Sequence, residues 1–369
     1  MPFLGMEHVE AQSMKVLGSV PAAQMKSAAV RFQPGDVLYG RLRPYLNKVA
    51  RPSFHGLCSA EFIVLPETEQ VDGKYLQYFL NSAPFVKFAT HLNAGDRPRV
   101  DFEQIAPYQI PLRPIGQQRR LAAEIDKQFS RIEEATANLQ RVKANLRRYV
   151  SGVLSEAVSG ALTASSKVDW RTATVSEVGD VLLGRQRAPQ YLTGRWPHKY
   201  LRVANIKDDR ISFDDVEEMD FDEKHSQKYR LEIGDILVSE GQSPELLGQS
   251  AIFRGHAEPL CFQKTLHRFR ADPAKTTAEF AQIVFRSHVR SGVFRKLGSI
   301  TTNIGHLTLE KFKVAPFPLP PLAEQQQIVA EVERRLSIAR GVEAQVEANL
   351  KRAQSLREAV LDKAFAVEA

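Results

Sequence analysis

The chain has 369 residues, of which 43% are hydrophobic and 25% charged, with two cysteines, nine histidines and a formal net charge of +7. That length supplies two cores of ordinary size, and the composition reads as that of a soluble globular protein, neither disordered nor membranous. The opening Met1-Pro2-Phe3-Leu4-Gly5-Met6-Glu7-His8 lacks the basic start and apolar run of a secretory signal, and no apolar stretch is long enough to span a bilayer, so a cytoplasmic location is expected.

In chain order, the first pattern is a Gly-Asp turn entering an apolar strand, Pro34-Gly35-Asp36-Val37-Leu38-Tyr39. Tyr75 to Phe88 follows as short amphipathic helices whose aromatics are assigned to core, then Arg97-Pro98-Arg99-Val100-Asp101 and a strand Gln109-Ile110-Pro111-Leu112. Pro114-Ile-Gly-Gln-Gln-Arg-Arg-Leu-Ala-Ala-Glu-Ile125 then opens a long proline-free helix. The same order recurs. Ile233-Gly234-Asp235-Ile236-Leu237-Val238 is the second turn and strand, Phe280 to Phe294 the second pair of helices, and Ile304-Gly305-His306-Leu307-Thr308 stands opposite Arg97 to Asp101. Phe317-Pro318-Leu319-Pro320 leads into Pro321-Leu-Ala-Glu-Gln-Gln-Gln-Ile-Val-Ala-Glu-Val332, which copies the first helix opening 207 residues later. The chain therefore reads as globule and helix, twice over. Mixed short strands and helices make each globule α+β, and Cys58 and Cys261, at corresponding points, read as small buried thiols, one per globule.

Along the first helix Ile125, Ile132, Leu139, Leu146 and Val153 recur every seventh residue, with Ala135, Val142 and Tyr149 at the intermediate core positions of an a/d seam. The register repeats in Val332, Ala339, Val346, Ala353 and Val360, a line of smaller residues suited to receive the Ile and Leu knobs. About 40 residues at ~1.5 Å each make a helix of roughly 60 Å, which is a spacer rather than one layer of a compact domain. Periodicity alone leaves open an antiparallel pair within one chain or an interchain stalk.

Charge is segregated. Residues 37–60 hold no acid and four bases, Arg41, Arg43, Lys48 and Arg51. Residues 181–207 hold no acid and six bases, and residues 280–309 are acid-free with Arg286, Arg290, Arg295 and Lys296. A surface that tracks phosphates needs this kind of segregation.

These features together resemble the specificity subunit of type I restriction-modification enzymes. The resemblance is carried by Pro114 to Gln118 and Pro321 to Gln325, by Pro34-Gly-Asp-Val-Leu-Tyr-Gly-Arg-Leu-Arg-Pro-Tyr-Leu-Asn47, Cys58-Ser-Ala-Glu-Phe62 and Gly234-Asp-Ile-Leu237, and by the ending Ala359-Val-Leu-Asp-Lys-Ala-Phe365. It implies an α+β chain with target recognition domains at 1–112 and 168–319 and conserved helical regions at 113–163 and 320–369, the two helices pairing as an antiparallel coiled coil. It also implies the partners: double-stranded DNA read as a split site, two adenine methyltransferase subunits that carry S-adenosylmethionine, and a restriction or translocase subunit. No cofactor or metal is expected on this chain. One departure stands out: Phe3 to Glu10 aligns with Tyr200 to Lys207, so the first globule has no counterpart of Trp170 to Lys199.

Catalytic alternatives are weak. No Asp/Asn-Pro-Pro-aromatic tetrapeptide exists to grip a flipped adenine. Gly241 to Ser250 is two residues too long for a phosphate loop and lacks its lysine, and the nine histidines show no ligand spacing. Glu61 with Asp72-Gly73-Lys74 can be drawn as a nuclease site, but Asp-Gly before a helix is an ordinary turn. A coiled-coil assembly protein without DNA affinity is the other alternative. The expected base or phosphate contacts are Arg185, Gln186, Arg187, Gln242, Ser243, Gln263, Lys264, Thr302, Asn303 and His306 in the second globule, and Arg41, Arg43, Asn47, Lys48, Arg97 and Arg99 in the first, because forked Arg suits guanine and Asn or Gln suits adenine.

Overall fold

The computed structural model describes residues 1–25, 28–163, 170–301 and 303–366. Its first half contains β1 (Pro2–Leu4), β2 (Val20–Pro21), β3 (Ala29–Phe32), β4 (Val37–Gly40), β5 (Val49–Ala50), β6 (Gly56–Ser59), β7 (Phe62–Leu65), α1 (Gly73–Phe79), α2 (Ala83–His91), α3 (Phe102–Ile105) and the long α4 (Ile115–Ser159). Next come β8 (Arg171–Thr174), α5 (Val175–Val178), β9 (Gly179–Leu183), β10 (Pro197–Leu201), β11 (Ile206–Lys207), β12 (Arg210–Ile211), β13 (Glu217–Asp220), α6 (Glu223–Tyr229), β14 (Ile236–Ser239), β15 (Gly241–Gln242), β16 (Ser250–Ile252), β17 (Cys261–Phe262) and β18 (Leu266–Ala271). The chain finishes with α7 (Ala278–Ser291), α8 (Val293–Leu297), β19 (Ser299–Thr301), β20 (Ile304–His306), α9 (Leu309–Lys313), β21 (Pro316–Leu319) and the second long helix, α10 (Leu322–Phe365). These divide into two compact units, Met1–Val142 with Gln345–Ala369, and Lys143–Ala344.

In the first unit the sheets run β2-β1-β6-β3 and β5-β4-β7; β1 pairs with β6 in parallel. The Gly-Asp turn launches β4: Gly35 takes a left-handed φ of 102°, and Asp36 Oδ2 accepts the Gln33 N–H at 2.8 Å. The second unit repeats the device, with Gly234 at φ 95° and Asp235 Oδ2 accepting the Glu232 N–H at 2.8 Å, ahead of a fully buried β14. There the sheets run β13-β10-β17, β16-β14-β18-β9, β15-β20-β19 and β21-β8, and β10 pairs with β17 in parallel as β1 does with β6. Cys58 and Cys261 lie buried on the matching strands β6 and β17, and burial pushes their thiols up to about 11 and about 12. The expected core aromatics are core: Tyr75, Tyr78, Phe79 and Phe85 in one unit, Phe280, Phe285 and Phe294 in the other.

One expected strand is not formed. Gln109 to Leu112 is irregular, and the Pro111 carbonyl accepts a hydrogen bond from the Tyr75 hydroxyl at 2.6 Å. Its counterpart β21 is a strand because β8 pairs with it over four residues, and no described residue of the first unit supplies that ladder. A strand without a partner leaves its N–H and C=O groups unpaired, so the segment does not hold strand geometry.

The long helices run antiparallel in each unit. In the first, Leu361, Ala364 and Phe365 near the end of α10 pack with Ala122, Ile125 and Phe129 near the start of α4. Arg357 lies 4.3 Å above the Phe129 ring, with Nη1 3.5 Å from Glu133. In the second, Val153, Leu154 and Ala157 from the end of α4 pack with Ile328, Val332 and Leu336 from the start of α10, and Arg335 Nη1 stands 3.1 Å from Glu156. The seam residues Ile125, Ile132, Leu139, Leu146, Val153, Val332, Ala339, Val346, Ala353 and Val360 are all buried or half-buried. The intermediate line is different from the one expected. Ala135, Val142 and Tyr149 are exposed, and the second line falls four residues after the first, at Phe129, Thr136, Val150 and Ala157, matched on α10 by Leu336, Leu350 and Ala364. At 3.6 residues per turn a four-residue step lies about 40° from the first line and a three-residue step about 60° on the other side. The partner helix covers the closer line.

The Pro-x-x-x-Gln openings are clasps. Gln118 and Gln325 are each 0% exposed. Gln118 Oε1 accepts the Asp72 N–H at 3.0 Å, and its Nε2 donates to the carbonyls of Gln70 and Arg113 at 2.7 Å each. Gln325 Oε1 accepts from the Thr276 hydroxyl at 2.9 Å and the Thr277 N–H at 3.2 Å, while Nε2 donates to Lys275 and Pro320 carbonyls at 2.9 Å each. Each carboxamide thus ties the start of a long helix to the loop that leads into α1 or α7, satisfying buried backbone groups that would otherwise be orphaned.

Candidate nucleic-acid interface

In the second unit most of the expected contact residues lie along one rim, joined by backbone hydrogen bonds. Leu307 N–H donates to the Glu240 carbonyl at 2.7 Å, Glu240 N–H to Thr265 at 2.9 Å, and Gly184 N–H to Leu266 at 3.0 Å. Lys264 N–H donates to Arg185 at 2.8 Å, and β15 pairs Gly241 with His306 and Gln242 with Gly305. The rim so assembled presents exposed Gln186, Arg187, Lys264 and Asn303 and half-buried Gln242, Ser243, Gln263 and His306. Arg187 Nε is 3.7 Å from Glu217, and His306 Nδ1 is 3.5 Å from Glu240. Gln263 Oε1 accepts the Thr265 hydroxyl at 2.9 Å. Thr302 lies outside the described residues.

The first unit builds the corresponding rim from other side chains. Val100 N–H donates to the Arg41 carbonyl at 3.0 Å and Arg41 N–H to Glu61 at 2.8 Å, the same two bonds that Leu307, Glu240 and Thr265 make. Arg43 N–H donates to Pro98 at 2.7 Å, and Leu42 bridges to Arg99. Arg41, Arg43, Arg97 and Arg99 are therefore brought together, with Arg99 paired to Glu61. Arg41 Nε donates to the Val100 carbonyl at 3.1 Å, and Lys48 Nζ donates to the Met6 carbonyl at 2.6 Å, so both cations are held low against the rim. Where the second rim carries Glu240, Thr265 and His306, the first carries Arg41, Glu61 and Arg99.

Two expected contacts are corrected by burial. Arg185 is 7% exposed, its guanidinium 4.1 Å from the Tyr191 ring and 5.2 Å from Phe221, so it braces the loop after β9 from inside. Asn47 is 4% exposed at a left-handed φ of 40°, and its Nδ2 donates to Asn81 Oδ1 at 2.8 Å. A group that reads bases must present its polar atoms to solvent, and both side chains are almost wholly covered. The acid-free stretches are also less free than their spacing implied. Arg286 bonds Asp208 and Asp209, and Arg290 bonds Asp208. Burial pushes the Asp208 carboxyl up, but Arg286 and Arg290 together outweigh it and hold it below the usual carboxylate range. Lys199 and Arg202 are likewise paired, with Glu258 and with Asp215 and Glu217. The carboxylates drawn as a nuclease site do not converge: Asp72 caps α1 by accepting the Lys74 and Tyr75 N–H groups, Lys74 pairs with Asp126, and Glu61 pairs with Arg99. Among the described residues no group of three or more His, Cys, Asp or Glu is placed to hold a metal ion.

The structure adds groups that spacing did not single out. Ile300 and Ile304 are 49% and 51% exposed on the β19–β20 ribbon beside Asn303, and Arg195 stacks 4.3 Å from the exposed Trp196 ring. An Arg-Trp dipeptide inside an acid-free stretch is the signal that was available for the second of these.

Residues 167–348 match the family described as the type I restriction modification DNA specificity domain. The chain is 28% identical over 327 residues to the type I restriction enzyme StySPI specificity subunit of Salmonella potsdam, covering 85% of this chain and 68% of that protein. It is 23% identical over 337 residues to the EcoKI specificity subunit of Escherichia coli K12, with the same coverage of 85% and 68%. Among solved structures, a chain from work on complex assembly and conformational transition of the type I restriction-modification system superposes with a TM-score of 0.82 at 18% identity, covering 100% of this chain and 92% of that one. The HsdS subunit of Thermoanaerobacter tengcongensis gives 0.58 at 19% identity, covering 99% and 90%.

Proposed function

We propose that this chain is a specificity subunit of the type I restriction-modification family, a reading supported by the match of residues 167–348 and the similarity to curated specificity subunits, and that it reads a two-part DNA sequence, one part with each rim, for a methyltransferase that it positions. The observation that carries this reading is the repeated rim. One backbone hydrogen-bond pattern is built twice and dressed with different side chains, which is what a scaffold needs to read two different sequences. Exposed Arg187, Lys264 and Asn303 on one rim and Arg97 and Arg99 on the other offer the forks and amides that pair with base edges, and the half-buried Arg41 and Lys48 hold phosphates. The paired α4 and α10 present the docking faces for two methyltransferase subunits, and a restriction subunit joins through them. S-adenosylmethionine is bound by the methyltransferase, and this chain contributes no catalytic group. Among the described residues no helix is long and apolar enough to cross a membrane.

The test is to co-express the chain with an adenine methyltransferase subunit of a type I system and map adenine methylation across a host genome. The expected result is one split motif, changed in one half only by Asn303→Ala. Methylation without a sequence motif, or a motif that Asn303→Ala leaves intact while Arg99→Ala alters both halves, would refute the assignment.

A further inference from the structure

The β19–β20 ribbon differs from the other strands of the second unit in where it puts its apolar side chains. Ile300 is 49% exposed and Ile304 51% exposed, whereas Leu307, just past the ribbon, is fully buried. Pairing fixes their directions: Ile300 stands opposite Gly305, and Ile304 opposite Thr301. Cross-strand partners share a face and neighbours along a strand alternate, so Ile300 lies on one face of the ribbon and Ile304 on the other. Asn303 is exposed at the turn, which gives the tip an amide with an aliphatic side chain on each side. Strand preference alone does not require this, since the β-branched Thr301 satisfies it with a hydroxyl.

The root of the ribbon is held in place. Leu307 N–H donates to the Glu240 carbonyl at 2.7 Å, Gly298 N–H to Phe294 at 2.8 Å, and Lys311 Nζ to Ser299 Oγ at 2.8 Å. β15 pairs with the inner edge of β20, and buried Leu247 lies so close to Gly305 that a Cβ there would stand 3.0 Å from its Cδ2. Exposed Arg295 and Lys296 precede the root, and residues 280–309 contain no acid. A cationic base under an apolar tip matches a groove with anionic ridges and methyl groups on its floor. Dimensions select which groove. Three-residue strands rise about 10 Å; the major groove, about 8.5 Å deep and about 12 Å wide, admits a two-stranded ribbon, and the minor groove, about 6 Å wide, does not.

We propose that the ribbon enters the major groove tip first and that Ile300 and Ile304 are specificity-determining residues that recognise the 5-methyl group of thymine. The inference rests on the second rim being a DNA reader and adds the base that its apolar groups select. Thymine alone among the four bases offers a methyl group in the major groove, whereas cytosine and adenine present an amino group there. An isoleucine against a thymine methyl buries apolar surface on both partners; against an amino group it leaves a donor unpaired. The half-site read by the second unit therefore contains thymine next to the base pair that Asn303 contacts.

The experiment uses the complex of this chain with an adenine methyltransferase subunit of a type I system and duplexes carrying its mapped motif. Each thymine of the half-site that Asn303→Ala alters is replaced singly by deoxyuridine, which removes the methyl and keeps every base-pair hydrogen bond. At one or two positions uridine should weaken binding by about four-fold, the value of one buried methyl group. Ile300→Ala and Ile304→Ala, both at exposed positions, should each abolish the thymine-over-uridine preference at one position and leave preferences in the other half-site unchanged. A half-site without thymine, or uridine substitutions that change nothing while cognate DNA still outcompetes scrambled DNA, overturns thymine recognition and leaves DNA reading standing. A thymine preference that survives both isoleucine variants overturns the assignment to this ribbon. Loss of the methyltransferase from the purified complex in those variants, with base preferences intact, shows that the ribbon faces protein and overturns it as well. Absence of any preference for cognate over scrambled DNA removes the reading on which the inference rests.

Discussion

Replacing Gln325 by Ala removes one carboxamide and breaks four hydrogen bonds in a fully buried place. The net value of one such bond is about 1 kcal/mol, and a buried group left unpaired costs about 1 to 3 kcal/mol. Four broken bonds therefore set a scale of about 4 kcal/mol, which entry of a water into the vacated space reduces to about 2 kcal/mol. The second unit should be destabilised by about 2 to 4 kcal/mol. The assay is amide exchange at Thr277 and Phe280, which reports this unit even where the two units unfold separately, supported by urea unfolding. Gln325→Glu sharpens the argument. It retains the accepting oxygen but turns a carboxylate oxygen toward the carbonyls of Lys275 and Pro320, so at neutral pH it should be no more stable than the Ala variant. Its protonated form donates to one of those carbonyls, which raises the folded-state pKa; the folded protein then binds more protons than the unfolded one, and the variant should regain stability as pH falls. A loss below 1 kcal/mol for Gln325→Ala, or a Glu variant that matches wild type at neutral pH, would show that the clasp is not what anchors the helix.

Other consequences are measured separately. Arg187→Ala should cost about 1 to 3 kcal/mol of discrimination at one base pair if its fork reads that pair, whereas Arg185→Ala should lower stability and leave the preferred sequence unchanged; competition between cognate and single-mismatch duplexes decides. Affinity of the assembled complex for duplex DNA should fall steeply with salt, and a flat response from low to physiological salt counts against phosphate tracking by Arg41 and Lys48. Burial holds His267 and His288 below the ordinary histidine value and neutral in the fold. The unfolded chain takes up those protons first, so stability is complete above about pH 6.5 and declines on acidification, visible as a falling urea midpoint that is shallower in a His288→Gln variant. Cys58 and Cys261, with thiols pushed up to about 11 and about 12, should resist alkylation at pH 8 until the chain unfolds.

The repeat, the long helices, the Gly-Asp turns and the buried cysteines were legible in the sequence because each rests on a local requirement: a positive φ, a seven-residue period, a capping proline. The same reading located the rims, since Arg41 to Asn47 and Gln242 to His306 sit in polar loops beside apolar strands. What it left undecided was everything that depends on a neighbour distant in the chain. Periodicity marked the line Ile125 to Val153, but only the packed partner selected Phe129 and Ala157 over Ala135 and Tyr149. Arg185 and Asn47 have the chemistry of DNA contacts, yet Tyr191, Phe221 and Asn81 close over them. Arg286 and Arg290 lie in an acid-free stretch of sequence and are neutralised by Asp208, far away along the chain and adjacent in space. Gln109 to Leu112 matches β21 in sequence and is not a strand, because a ladder has two sides and, among the described residues, only the second unit provides the other one.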